Sequence, residues 1–244
     1  MLSRNLFLLA ALATSLLTSC HKHNDGPSTP PAPRVKSMHD DRGATTYTYD
    51  EKWRLIKYDA HSDADNSIKE YTYTDKTVTV KNYDGSGKYL GTAVYQLNAQ
   101  GLAISLIDES NVLAATYTYN SNNQISRLQL QRTTAGNPYS WDIKYFYNSS
   151  GDLDSSTTWA SATNLITVSY YPQYDLTHPT TLGNENLGLS FLGSSSKHPL
   201  KQTTAQDRTV LFTYIYTYDP KGRIATQETS IGGVGYISSS IAYY

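Results

Sequence analysis

Polar and apolar residues alternate with a period of two through most of this chain. Thr209 to Tyr218 is the clearest stretch. It places Leu211, Thr213, Ile215 and Thr217 on one face of a strand, and Val210, Phe212, Tyr214, Tyr216 and Tyr218 on the other. The alternation stops at Asp219-Pro220-Lys221-Gly222 and resumes at Ile224. Asp suits the first turn position, Pro presets φ at the second, and Gly takes the left-handed site after the turn. Strand, tight turn and returning strand make a β-hairpin. Shorter versions begin at Tyr47-Thr48-Tyr49, Tyr71-Thr72-Tyr73, Tyr95, Tyr117-Thr118-Tyr119 and Tyr145-Phe146-Tyr147, with a weaker one at Val168-Ser169-Tyr170.

The main starts lie 24, 24, 22 and 28 residues apart, a period that holds two strands and two turns. This predicts an all-β fold. It is a long antiparallel meander of about fourteen to sixteen strands, forming one strongly curved or barrel-like sheet. Its turns are led by Asp50, Asp84, Asn98, Asn120, Asn148 and Asp219, with Gly101, Gly151 and Gly222 at positions that need positive φ. Trp53 stands where the turn favours Gly, and Ala103 where Leu or Ile is expected, so those two turns are expected to differ.

The rhythm fails between Tyr171 and Gln202, where Pro172, Pro179 and Pro199 interrupt any ladder. Here a short helical or irregular plug near 183–200 is expected. Asn184 would cap a helix running to Leu192 and ending at Gly193, with Leu187, Leu189, Phe191 and Leu192 against an apolar surface.

Composition changes the picture at the N-terminus. Arg4 precedes an apolar run, Leu6 to Leu17, too short to span a bilayer as a helix. Leu17-Thr18-Ser19-Cys20 resembles the lipobox of bacterial lipoproteins, which implies lipidation of Cys20, the sole cysteine. Residues 1–19 would be the signal peptide and 20–42 the lipidated cysteine and proline-rich spacer. Residues 43–244 would be the β domain. A lone cysteine provides no internal disulfide, so the domain must hold by packing.

Tyrosine dominates the apolar set, with 22 copies against four phenylalanines. The formal net charge of −1 offers no footprint for nucleic acid. No nucleophile elbow, metalloprotease helix, phosphate loop or dinucleotide glycine motif occurs, and the histidines lack metal-ligand spacing. No cofactor, metal or enzymatic activity is therefore expected. Trp141 and Trp159, near turn-like segments, are the candidate ligand-binding residues, because aromatics on a rigid sheet stack on sugar rings or anchor a protein.

The units Y-x-Y-[DN]-x-x-[GN]-x-[LI] resemble the tyrosine–aspartate repeats of the RHS family, with Tyr216 to Ile224 matching best. Lipobox, spacer and repeats together are similar to lipoproteins of the Bacteroidetes type that carry a domain of unknown function. The resemblance implies a cell-envelope protein anchored to the outer membrane by its lipid. As a non-catalytic module it would bind a glycan or protein, or serve structurally. Two other readings are an integral outer-membrane β-barrel, prompted by the alternation and the terminal Tyr243-Tyr244, and a hydrolase without a recognisable motif.

Overall fold

The computed structural model describes residues 32–62, 66–109, 112–134, 137–161, 165–205 and 207–244. Cys20, the signal peptide and most of the spacer lie outside the described residues. The strands are β1 (Val35–Asp40), β2 (Gly43–Tyr49), β3 (Leu55–Ser62), β4 (Asn66–Tyr73), β5 (Thr77–Asp84), β6 (Tyr89–Leu97), β7 (Ala103–Asp108) and β8 (Leu113–Tyr119). There follow β9 (Ile125–Thr134), β10 (Asn137–Tyr147), β11 (Leu153–Ala160), β12 (Leu165–Tyr174), β13 (Leu200–Thr204), β14 (Val210–Tyr218), β15 (Ile224–Ile231) and β16 (Val234–Tyr243). Each pairs antiparallel with its neighbours in sequence, and β1 pairs with β16 to close a barrel. The strand β1 lies inside the 20–42 stretch assigned to the spacer. Past Pro33 no proline remains to block its pairing with β2 and β16.

Strand direction puts the turns after β2, β6, β8, β10 and β14 at one end, together with the start of β1 at Val35 and with Tyr244. All five, and the Asp84 turn at the other end, share one geometry. The Oδ1 of the leading Asp or Asn accepts the N–H groups two and four residues on, at 2.8–3.0 Å. That double acceptance is why the position takes only Asp or Asn. The fourth residue is left-handed in every case: Trp53 at φ 58°, Gly87, Gly101, Asn123, Gly151 and Gly222. The Trp53 turn therefore does not differ from the others. Asp50 fixes its backbone, and Trp53 packs at 6.0–6.2 Å on Tyr49 and Tyr244. The turn before Ala103 is also regular. The small residue leaves room for Phe191 and Leu192, with which Ala103 shares a buried cluster.

Five-residue turns put a bulge at the head of the returning strand, as at Tyr49/Leu55 and Tyr119/Ile125. The ladder from that strand to the next one then stops two residues short of its first residue. Leu55, for example, lies beyond the last β3–β4 pair, Lys57↔Glu70. The orphaned carbonyl is taken by a tyrosine. Tyr49 donates to Val35, Tyr73 to Leu55, Tyr119 to Ala103, Tyr147 to Ile125, Tyr216 to Leu200 and Tyr243 to Ile224, all at 2.7–2.9 Å. Phenylalanine could fill the space but not meet the carbonyl, which accounts for tyrosine at these six positions.

Residues 175–199 close this end. The predicted helix from Asn184 is absent; a three-residue 3₁₀ turn, Ser190–Leu192, stands in its place. Asn184 does not cap a helix. Its Nδ2 donates to the Gly193 carbonyl at 2.9 Å, pinning the segment to its own end. The plug also satisfies the first amides of the returning strands: Val35 by Asn186 O, Leu55 by Gly188 O, Leu153 by Ser196 Oγ and Ile224 by Thr181 Oγ1. Leu187, Leu189, Phe191 and Leu192 bury against the tyrosines of the wall.

Candidate functional site

Cross-strand partners share a face, so the register sorts the wall into inside and outside. The inward row Tyr73↔Val78↔Tyr95↔Leu106↔Ala115↔Leu130↔Trp141↔Ala160 runs from the plug end of β4 up to β11. Below it, Tyr117↔Leu128↔Ile143 continues the apolar lining. Two outward rows are of another kind. Thr48↔Lys57↔Glu70↔Lys81↔Thr92 crosses β2 to β6, and Thr118↔Arg127↔Lys144↔Thr157 crosses β8 to β11. Arg127 holds Asp142 on this outer wall through two bonds of 2.7–2.8 Å. Those bonds keep the Asp142 carboxyl below the usual carboxylate range, against an opposing push from burial.

The register separates the two candidate tryptophans. Trp141 shares the inward face with Ile143 and Tyr145, whereas Trp159 lies opposite Asp142 on the outer wall, 37% exposed. Trp159, the other candidate, therefore lies on the outer wall, apart from the face that holds Trp141. The two sit on adjacent strands, but their parity differs once the strands are aligned. Around Trp141 the structure gathers residues that the sequence reading missed. Tyr139 packs edge-on at 4.8 Å, Leu130 and Ala160 flank it, and Arg132 lies opposite Tyr139. Two-residue spacing from Trp141 could have flagged Tyr139. Arg132 needed the β9–β10 register.

In the half of the barrel away from the plug, inward side chains such as Leu130, Trp141, Ile143, Phe212 and Tyr214 remain half-buried rather than buried. Sixteen strands enclose more space than wall side chains can fill. The result is a lumen with an apolar and aromatic lining, floored by the plug. Near the floor, burial raises the phenols of Tyr71, Tyr117, Tyr147 and Tyr216 above their ordinary range, and that of Tyr95 up to about 12.

The structure places the predicted turn residues at hairpin ends rather than in the lumen. Asp50 and Asp219 each bind an arginine, Arg54 and Arg223, whose guanidinium lies over Tyr73 or Tyr243 at 4.4–4.5 Å. At Asp219 the Arg223 N–H outweighs burial and lowers the carboxyl; at Asp50 burial pushes upward, but the bonds from Arg54 prevail. The Asn148 turn carries the fully buried Asp152, which accepts from the Lys197 and His198 amides and contacts His198 Nδ1 at 2.7 Å. Ser196 is buried too, its Oγ accepting from the Leu153 N–H and meeting the Tyr174 hydroxyl at 3.1 Å. This carboxylate, imidazole and hydroxyl serve to fasten the plug. Among the described residues no three His, Cys, Asp or Glu side chains gather as metal ligands.

A cleft of about 380 Å³ opens at the rim of β5 to β7, lined in part by Asn82, Tyr89, Thr92 and Glu109. Glu109 bonds both the Thr92 N–H, at 3.0 Å, and the Tyr89 hydroxyl, so the cleft's polar groups satisfy one another.

Fold and site together define an up-and-down β-barrel plugged at one end, with an aromatic inward face and an outer wall that carries charged rows beside exposed apolar residues such as Ile107, Phe146 and Ile215. No protein-family model and no curated protein matches the chain. Among solved structures it is similar to a porin-like protein of Bacteroides uniformis, with a TM-score of 0.62 at 14% identity, over 89% of this chain and 99% of that one. A porin-like protein of Bacteroides vulgatus gives 0.56 at 14% identity, over 86% and 99%. At such identity these likenesses show the barrel fold.

Proposed function

We propose that this chain is a lipid-tethered barrel of the bacterial cell envelope that stands in water and binds a ligand in its lumen without catalysing a reaction. The observation that carries the proposal is the polarity of the wall. Its outward rows hold Glu70, Lys81 and Asp142 at mid-strand, with Lys57, Arg127 and Lys144 nearer the plug end. A lipid-facing Arg or Lys costs roughly 2–4 kcal/mol at the bilayer midplane. A water-filled surround removes that cost, and the apolar inward face then acts as core and binding wall. The shared turn geometry and the tyrosine ring support kinship with the tyrosine–aspartate repeats of the RHS type. The lipobox supports the tether at Cys20, facing either side of the outer membrane.

A second reading, an integral outer-membrane barrel, is favoured by the porin-like neighbours and by the closed sixteen-strand sheet. The two readings separate on one experiment. In cells expressing the full chain, Cys20→Ser should move the protein from the membrane fraction to the soluble exported fraction. Retention of the variant in the membrane would favour the integral barrel.

A further inference from the structure

We propose that the lumen takes a small amphiphile with a flat or ring-shaped apolar body and an anionic group. The body would rest on Trp141 and the anion would be held by Arg132. This deepens the binding reading above and rests on it. Three observations point to such a ligand.

The first is a shaped apolar wall. Trp141 stands between Leu130 and Ala160 in the inward row, with Ala115 beyond Leu130. Of these neighbours Ala160 and Ala115 are small, and Tyr139 braces the indole edge at 4.8 Å. Large aromatics bury fully in a packed core, yet Tyr139, Trp141, Phe212 and Tyr214 all remain half-buried inside a closed barrel.

The second is the distribution of inward charge. Arg132 shares the face of Tyr139 and Leu113, and among the described residues its side chain has no ion pair or hydrogen bond. Lys69 points to the same side from β4 and lies 5.0 Å from the Tyr58 ring, likewise without a carboxylate. The inward carboxylates are engaged elsewhere. Asp40 binds Arg42, Asp84 holds its turn amides, and Asp108 accepts from the Val112 N–H. A cation without a counter-ion over apolar lining is complementary to an anion carried on an apolar body.

The third is location. The plug occupies the opposite end, and its polar groups are spent on the strand amides and on one another. Arg132 and Tyr139 flank the β9–β10 connection at the end away from it.

The three tryptophans make the test direct, because Trp53 sits at the plug end, Trp159 on the outer wall and only Trp141 in the lumen. Residues 21–244 carrying Trp53→Phe and Trp159→Phe would be titrated with 8-anilinonaphthalene-1-sulfonate, an anionic bicyclic probe. Binding should saturate at one site, with energy transfer from Trp141 to the probe. Arg132→Met keeps the stem and removes the charge, and should weaken binding about tenfold or more, the loss expected for one charge-assisted contact. A neutral analogue, N-phenyl-1-naphthylamine, should be insensitive to that change. Unaltered circular dichroism and melting would show that the variants fold. Absence of saturable binding in folded protein would overturn the proposal, as would equal affinity in Arg132→Met. So would binding of a neutral oligosaccharide in preference to the probe. None of these results depends on whether Cys20 carries a lipid, so failure here is separable from failure of the tether.

Discussion

At the scale of the residue, the phenol hydroxyl decides more than the ring. Six tyrosines close the carbonyls left open by bulges, so Tyr73→Phe and Tyr147→Phe keep the packing and leave a buried acceptor unmet. Each should cost about 1–3 kcal/mol in urea denaturation, the penalty for an unsatisfied buried group. Tyr139→Phe, in the lumen, should fall within about 0.5 kcal/mol of the parent. The same burial makes stability depend on alkali. Phenols such as Tyr95 hold their protons more tightly folded than unfolded, where tyrosine titrates near 10. Their contribution is therefore complete below about pH 10 and declines above it, with Tyr95 reaching its own titration at about 12. Denaturation midpoints should stay level through mild alkali and fall from about pH 10 upward. A midpoint that rises above pH 10 would contradict the tyrosine ring. The abundance of tyrosine was legible in the sequence. The reason for these six was not, because each of their hydroxyls answers a carbonyl on a neighbouring strand that only the bulge leaves open.

At the scale of the element, turns and plug differ in what a glycine does. Gly222 needs its left-handed φ of 75°, but a Cβ there would meet nothing within 4 Å. Gly193 has φ 84°, and a Cβ would lie 2.4 Å from the Asn123 carbonyl and 2.7 Å from the Tyr119 ring. Gly222→Ala should thus cost about 1 kcal/mol. Gly193→Ala should cost about 3 kcal/mol or more, because the plug must lift from the wall. Equal midpoints for the two variants would mean that the plug does not seat on the Asn123 turn. The turns could be read from sequence because each is a local device of five residues. The plug could not, since its bonds join Asn184 to Gly193 and Asp152 to His198, and its short helical signal lost to contacts with the wall. The first strand hid for a similar reason. Val35 to Asp40 follows the prolines and lacks the tyrosine pair, and its partner β16 lies at the far end of the chain.

At the scale of the whole molecule, closure and the sorting of faces turn a repeat into a container. The sequence pattern foretold a curved meander, but closure depends on β1 meeting β16, and no local signal records that. Likewise Trp141 and Trp159 look equivalent until the β10–β11 register sends one inward and the other outward. The barrel is apolar on its inward face and carries charged rows on its outer wall, where a lipid-facing surface would carry none. Sedimentation of residues 21–244, which lack Cys20, in buffer without detergent, tests this most directly. The predicted result is a folded β-rich monomer that does not float with phospholipid vesicles. A chain that aggregates in water, and becomes a folded monomer only in detergent or in vesicles, would contradict it.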